Sequence, residues 1–71
     1  MIKKGEIYKH FKGGKYGIIA EARHCDTNEP YAVYKDLESG EVYIRILSDF
    51  ESKVQGNIKR FTLIDKVDVS E

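Results

Sequence analysis

The residues that could do chemistry in this chain are His10, Lys12, Arg23, His24, Tyr34, Tyr43 and Arg45. Imidazoles titrate near neutral pH and can donate or accept a proton. Guanidinium and ammonium groups hold oxyanions. Tyrosines offer a flat apolar face with a polar tip. Together these types suit a binding surface, and none is assigned a catalytic role. Each residue also has a plainer reading. An isolated histidine on a strand is more often a hydrogen-bonded structural residue than a ligand or catalyst. His24 differs from His10 in ending a strand, where function tends to gather. Arg45 reads most simply as a solvated or cross-strand charge, paired with Asp36 or Glu21. Most of the five tyrosines read as half-buried cover for a small core, with the hydroxyl left wet.

Other chemistries find little support. One cysteine and two histidines show none of the paired spacings of a zinc site, and adjacent His24 and Cys25 could share an ion only from a loop. No metal and no cofactor is expected. Cys25 beside His24 does not make a nucleophilic dyad, because such pairs are built in space rather than in sequence. Lys12-Gly13-Gly14-Lys15 joins two strands, with no helix N-terminus behind it to hold a phosphate.

The elements that must position these groups are short. Gly5–Phe11 alternates, with Ile7, Lys9 and Phe11 on one side and Glu6, Tyr8 and His10 on the other, as a strand does. Gly13-Gly14 supplies the positive φ of a two-residue hairpin turn. Counting outward from it sets Lys12 opposite Lys15, His10 opposite Gly17 and Tyr8 opposite Ile19. Arg23 then lies beyond the start of the first strand, and would reach His10 only through barrel curvature or another register. Tyr16–Arg23 is the second strand, with Tyr16, Ile18, Ala20 and Ala22 on one side. Gly17 suggests a bulge or a close backbone approach, and small Ala20 and Ala22 suit a curved interior.

His24–Pro30 reads as a loop, Tyr31–Leu37 as a strand, and Glu38-Ser39-Gly40 as a second hairpin turn. Glu41–Leu47 alternates most cleanly, which predicts Val42, Ile44 and Ile46 inward and Glu41, Tyr43 and Arg45 outward. Several candidate site residues thus fall on faces opposite the apolar stripe. Ser48-x-x-Glu51 has capping-box spacing and predicts one helical turn to about Ser52, with Phe50 as a plug. A polar turn around Gln55-Gly56-Asn57 leads to a last strand, Arg60–Ile64, with Phe61 and Leu63 on one side. The residues from about Val67 onward read as a frayed acidic tail.

Seventy-one residues make one domain, with an ordered part of about 5–64 and a core of about a dozen side chains. The fold class is all-β in the main: a small, partly open, antiparallel SH3-like barrel of about five short strands with one helical turn. A curled meander packed on a second copy is the alternative. A lone thiol fits a reducing cytoplasm, and no apolar run is long enough to cross a bilayer. Lys plus Arg equals Asp plus Glu, 12 against 12, which disfavours a general nucleic-acid binder. The first fifteen residues are nevertheless basic, and the stretch from Asp26 to Glu41 is mainly acidic.

The ordered series Gly5-x-x-Tyr8-x-His10-Phe11-Lys12-Gly13, Tyr16, Ala22-Arg23-His24, Val33-Tyr34, Tyr43-Ile44-Arg45-x-Leu47, Phe50 and Arg60-Phe61 resembles a bacterial family of short one-domain proteins known only as a domain of unknown function. That family's pattern opens Gly-x-Tyr-x-His-Phe/Tyr-Lys-Gly. It continues Ala-Arg-His-Ser-Glu, Val-Val-Tyr, and Trp-Val-Arg-Pro-Leu-x-x-Phe. Here Cys25-Asp26 replaces Ser-Glu, Tyr43 replaces the tryptophan and Ile46 the proline, and the spacing from Gly5 to Tyr8 is one residue longer. The resemblance runs from Gly5 to Ile64. It implies that His10, Arg23, His24, Tyr34 and Arg45 belong to a shared pattern, and it implies no activity.

The expected function is a non-catalytic binding or interaction module, monomeric or weakly dimeric, with a protein or peptide partner favoured. The alternative is nucleic-acid or nucleotide-phosphate binding, with Lys9, Lys12, Lys15, Arg23 and Arg45 on phosphates and Tyr34 or Tyr43 stacking. An enzyme using His10 and His24 as acid and base ranks last, because so short a chain encloses little.

Overall fold

A computed structural model describes residues 2–67. The expected acidic tail lies beyond Val67 and so outside the described residues. Five strands form one antiparallel sheet: β1 (Glu6–His10), β2 (Lys15–Arg23), β3 (Pro30–Asp36), β4 (Val42–Ile46) and, at the far end of the chain, β7 (Phe61–Lys66). The order is β4-β3-β2-β1-β7. The first four strands make a meander, and the last returns to lie beside the first. A one-turn helix α1 (Leu47–Phe50) and a small hairpin, β5 (Lys53–Val54) with β6 (Ile58–Lys59), span the gap between the two edge strands. The molecule is therefore mostly β, and its curled sheet stays open, as a small partly open barrel does.

The first hairpin forms, but not through a two-residue turn. Gly13 N–H donates to the His10 carbonyl at 2.8 Å, and His10 N–H donates to the Gly14 carbonyl at 3.1 Å. Phe11, Lys12 and Gly13 make the bend, and both glycines take positive φ (105° and 86°), a region costly for residues with a Cβ. The longer turn moves the register. Tyr8 faces Tyr16, and Ile7 faces Gly17, where the shorter turn predicts Ile19 opposite Tyr8. Directly paired residues share a face, so Tyr8 and Tyr16 enter the same side of the sheet. That inner face of β1 carries Glu6, Tyr8 and His10 rather than Ile7.

Of the two readings of Gly17, the bulge sits instead at Ile19, while Gly17 itself is closely approached by the Leu37 side chain, 3.3 Å from where a Cβ would stand. Ile18 pairs with Tyr34 and Ala20 with Val33, leaving Ile19 as the extra residue. One extra residue inverts the alternation beyond it. Glu21 therefore shares the inner face of Ala32, while Ala20 and Ala22 turn outward; Ala20 is exposed. The two alanines do not line the interior.

Strand β4 shows the largest departure. Val42 is 54% exposed and Ile44 66%, although the alternation predicts both inward. Tyr43 pairs with Tyr34 and Arg45 with Ala32, and Ala32 and Tyr34 are buried. Tyr43 and Arg45 are thus on the inner face, and the β-branched residues face solvent. The reason lies in what fills the core: Ile2, Ile18, Ala32, Tyr34, Leu47, Phe50 and Phe61, with Tyr8 and Tyr16 packed against them. Aromatic rings from five elements occupy this space, so the aliphatic side of β4 is not needed there. Ile2 belongs to this core, although it lies in the N-terminal lead-in.

Phe50 is the plug that its position suggests. It is 1% exposed and stacks on Phe61, with centroids 4.1 Å apart and planes 9° apart. The capping box does not form. The residue preceding the helix is Ile46, with no side-chain cap, and Ser48 lies within the turn. The helix is held instead by Asp49 and Ser52, as described below. Pro30 starts β3, and the Glu38–Gly40 turn is present, with Asp36 Oδ1 accepting from Glu38 N–H at 2.8 Å and Ser39 N–H at 3.2 Å.

Candidate functional site

His10, Tyr16, Tyr34, Tyr43, Arg45 and Phe61 line a cavity of about 170 Å³ on the inner face of the sheet. All six come from paired positions on β1, β2, β3, β4 and β7, so backbone register brings them together. Tyr34 stands at the centre. Its ring lies edge-on to Tyr16 at 5.6 Å, to Phe50 at 5.4 Å and to Phe61 at 5.5 Å, and is tilted against Tyr43 at 5.9 Å. It is 5% exposed, whereas Tyr8, Tyr16 and Tyr31 are half-buried, as the sequence predicts for most of the tyrosines, and Tyr43 is exposed.

Arg45 reaches across to this ring, and its Nε donates to the Tyr34 hydroxyl at 3.4 Å. Its Nη1 donates to Asp49 Oδ2 at 2.6 Å. The partner of Arg45 is thus Asp49, one turn ahead on α1, and not Asp36 or Glu21. Arg60 approaches the other Asp49 oxygen at 3.8 Å. Arg60 Nε also donates to the Ser52 hydroxyl at 3.3 Å, and that hydroxyl donates to the Asp49 carbonyl at 2.6 Å. This network ties the helical turn to both ends of the sheet and fixes the Arg45 guanidinium beside the cavity.

His10 forms one wall. Its ring meets Phe61 edge-on at 4.9 Å and Phe11 at 4.7 Å. Its Nδ1 accepts the Lys12 backbone N–H at 3.1 Å, which closes the hairpin turn and leaves the proton of the neutral ring on Nε2. Burial holds the His10 pKa below its usual value, and the positive charges of Arg45, Arg60 and Lys12 lower it further. Burial also raises the Tyr16 phenol, with the Asp36 carboxylate adding to the shift. Around the cavity, the neutral phenol and neutral imidazole are therefore the favoured forms. Lys12 sits on the turn beside this wall, its ammonium 5.7 Å from the Phe11 ring centre.

Arg23 and His24 are elsewhere. β2, nine residues long and on the order of 25–30 Å, separates them from the His10 end. Arg23 Nη1 donates to the Asn28 carbonyl at 3.1 Å. His24 Nδ1 accepts from Asp26 N–H at 3.1 Å and Thr27 N–H at 3.4 Å. With Ala22, Tyr31 and Ile44, these two residues line a separate depression on the outer face. Both histidines do the same local job, capping a turn two residues ahead. The loop also brings the ligand atoms of His24, Cys25 and Asp26 within 4.8 Å of one another, all exposed, but the Nδ1 atom of His24 is already taken by backbone amides.

Of the seven residues singled out by type, the cavity gathers His10, Tyr34, Tyr43 and Arg45, and Lys12 bonds to His10 through its backbone N–H. Tyr16, Phe61, Asp49 and Arg60 were not among them. Tyr16 and Arg60-Phe61 did stand in the ordered motif series, which was the signal available for them. Asp49 had none, because its role depends on the helix placing it against two arginines.

Larger depressions lie elsewhere. One is bounded by Lys9, Gly14, Lys15, Leu37 and Glu38, and another by Tyr8, Phe50, Glu51, Lys59, Phe61 and Leu63. Size alone would favour these, but the first has no aromatic wall, and the second sets a carboxylate, Glu51, beside its rings and Lys59. No helix among the described residues is long and apolar enough to cross a membrane. Comparison with curated proteins and with solved structures gives no match. The family described as "Protein of unknown function (DUF1653)" matches residues 6–63, a span holding all five strands' paired positions around the cavity, and the chain belongs to that family.

Proposed function

We propose that this chain is a small non-catalytic binding domain that recognises a protein or peptide partner by one group inserted into the inner-face cavity. One observation carries the reading. The polar ends of Tyr34 and Arg45 meet at 3.4 Å inside a space otherwise walled by rings. Apolar walls with a few convergent polar groups are what ligand sites provide. The positions of the other candidates support this reading over the two competing ones. Lys9 pairs with Lys15 across β1 and β2, on the face opposite Tyr8 and Tyr16, and Arg23 is at the far end of β2. The cations invoked for a nucleic acid therefore do not form one stripe with Tyr43. His10 and His24 sit at opposite ends of β2, too far apart to act as an acid–base pair on one substrate.

A fragment screen followed by amide NMR shifts tests the reading. Binders are expected to move the signals of His10, Tyr34, Tyr43 and Arg45 together. Binders that instead cluster around Lys15 and Leu37, or around Ala22 and Tyr31, would overturn it.

A further inference from the structure

The polar lining of the cavity is Arg45, His10 and three tyrosine hydroxyls, all able to donate. Arg45 carries a guanidinium, which has no acceptor. Its Nε already donates to the Tyr34 hydroxyl, which leaves that hydroxyl its own hydrogen to donate. The Lys12 amide on Nδ1 of His10 keeps the neutral imidazole's proton on Nε2. No Asp or Glu lines the cavity among the described residues. Two carboxylates that act on lining residues are committed elsewhere, Asp49 to Arg45 and Arg60 and Asp36 to the amides of its own turn. Arg45 and Arg60 share the single carboxylate of Asp49, so a cationic ligand would meet a net positive charge. An oxyanion would find a fixed positive charge, already held in place by Asp49, and charge-assisted hydrogen bonds. The walls are the rings of Tyr16, Tyr43 and Phe61, and about 170 Å³ is room for one ring-sized group.

We propose that the group taken by this cavity is a ring-bearing oxyanion, a carboxylate or phosphate on an aromatic body, with its oxygens at Arg45 and Tyr34 and its ring against Tyr16 and Tyr43. The proposal rests on the cavity being the binding site, and it names what that site selects. Burial lowers the proton affinity of His10 first, and the nearby positive charges add to it. Around that imidazole stand Lys12 on its own turn, Arg45 on β4 and Arg60 ahead of β7, all cationic. An incoming anion would offset them and raise the His10 pKa.

The test is an amide NMR titration of the whole chain with four probes: N-acetyl-phenylalanine, its neutral amide, phenyl phosphate, and benzyltrimethylammonium. The expected result is saturable shifts at Tyr34, Tyr43 and Arg45 with an acidic probe, and affinity at least about tenfold weaker for the neutral amide. N-Acetyl-phenylalanine binding more tightly than phenyl phosphate points to a peptide carboxyl terminus as the source, and the reverse order points to a phosphate. Equal binding by the neutral amide, or tighter binding by benzyltrimethylammonium, at the same residues keeps the site and overturns the oxyanion. If none of the four moves these signals, both the oxyanion and the cavity reading fall. Arg45→Gln should abolish the preference for acid over amide. Because Arg45 also holds α1, Tyr34→Phe provides a second variant that keeps the ring and removes only the hydroxyl. It should weaken the acid and leave the amide unchanged, and equal weakening of both would count against the proposal.

Discussion

Phe50 lies flat on Phe61, with ring centroids 4.1 Å apart, and this stack joins the one helical turn to the last strand. Phe50 is the largest fully buried side chain, and it also touches Tyr8 and Tyr34 edge-on. Phe50→Ala would leave a cavity in a thin core, at a cost of about 3–5 kcal/mol. A domain of this size holds only a few kcal/mol in reserve, so chemical denaturation should find the variant largely unfolded. Phe50→Leu should remain folded with a lowered midpoint.

The inverted face of β4 makes a sharp prediction. Ile44→Lys places a charge where the side chain is already 66% exposed, and should change stability by no more than about 0.5 kcal/mol. Ala32→Val, at a position with no exposure, adds bulk to a packed space and should cost about 1–3 kcal/mol. Denaturant midpoints of the two variants check this. A loss of several kcal/mol from Ile44→Lys would place the β-branched side of β4 in the core instead.

Tyr8 donates its hydroxyl proton to buried Glu6 at 2.9 Å. Burial, then that hydrogen bond, then the charges of Glu6 and Glu51 push the Tyr8 phenol up to about 12 from 10.0. A raised pKa means that the folded chain holds this proton more tightly than the unfolded one. The contribution of Tyr8 to stability is therefore complete below pH 10 and disappears as pH rises toward 12. Ultraviolet titration of tyrosinate should show one late-ionising tyrosine that Tyr8→Phe removes. In Glu6→Gln it should ionise earlier.

His10 works in the opposite direction. Its folded-state pKa lies below 6.5, through burial first and then the charges of Arg45, Arg60 and Lys12. Its contribution is complete above pH 6.5 and is lost as pH falls through the lowered value. Protonation of Nδ1 would also break the bond from the Lys12 amide. NMR should find the Nε2–H tautomer at neutral pH and a midpoint below 6.5. Asn can cap the same turn with its side-chain oxygen, so His10→Asn should remain folded and lose the acid-side fall in stability that His10 causes.

The Arg45–Asp49 pair is short but partly open, at 32% and 47% side-chain exposure. A double-mutant cycle of Arg45→Gln and Asp49→Asn should give a coupling of about 1 kcal/mol or less, reduced by added salt. A coupling of several kcal/mol would mean a pair far better shielded from water than its exposure indicates.

The sequence by itself determined the number and kind of the main strands, the positions of the turns, the plugging role of Phe50, the shared side of Phe61 and Leu63, and membership of a family of unknown function. These features follow from local alternation, from glycines at turns and from the apolar character of single residues. It did not determine which side of a strand is inside. Alternation states that two faces differ, but the hydrophobic scale then chose aliphatic Val42 and Ile44 over Tyr43 and Arg45. The fold chose otherwise, because a three-residue turn and a bulge at Ile19 shifted the register and five elements supplied aromatic rings to one small core. The same shifts decided the candidate site. They lengthened a separation of Arg23 from His10 that counting along the strands already indicated, and set Tyr34, Tyr43 and Arg45 around one cavity. Register is a property of paired strands, fixed by turn length and by what the facing strand buries, so only the tertiary structure could settle it.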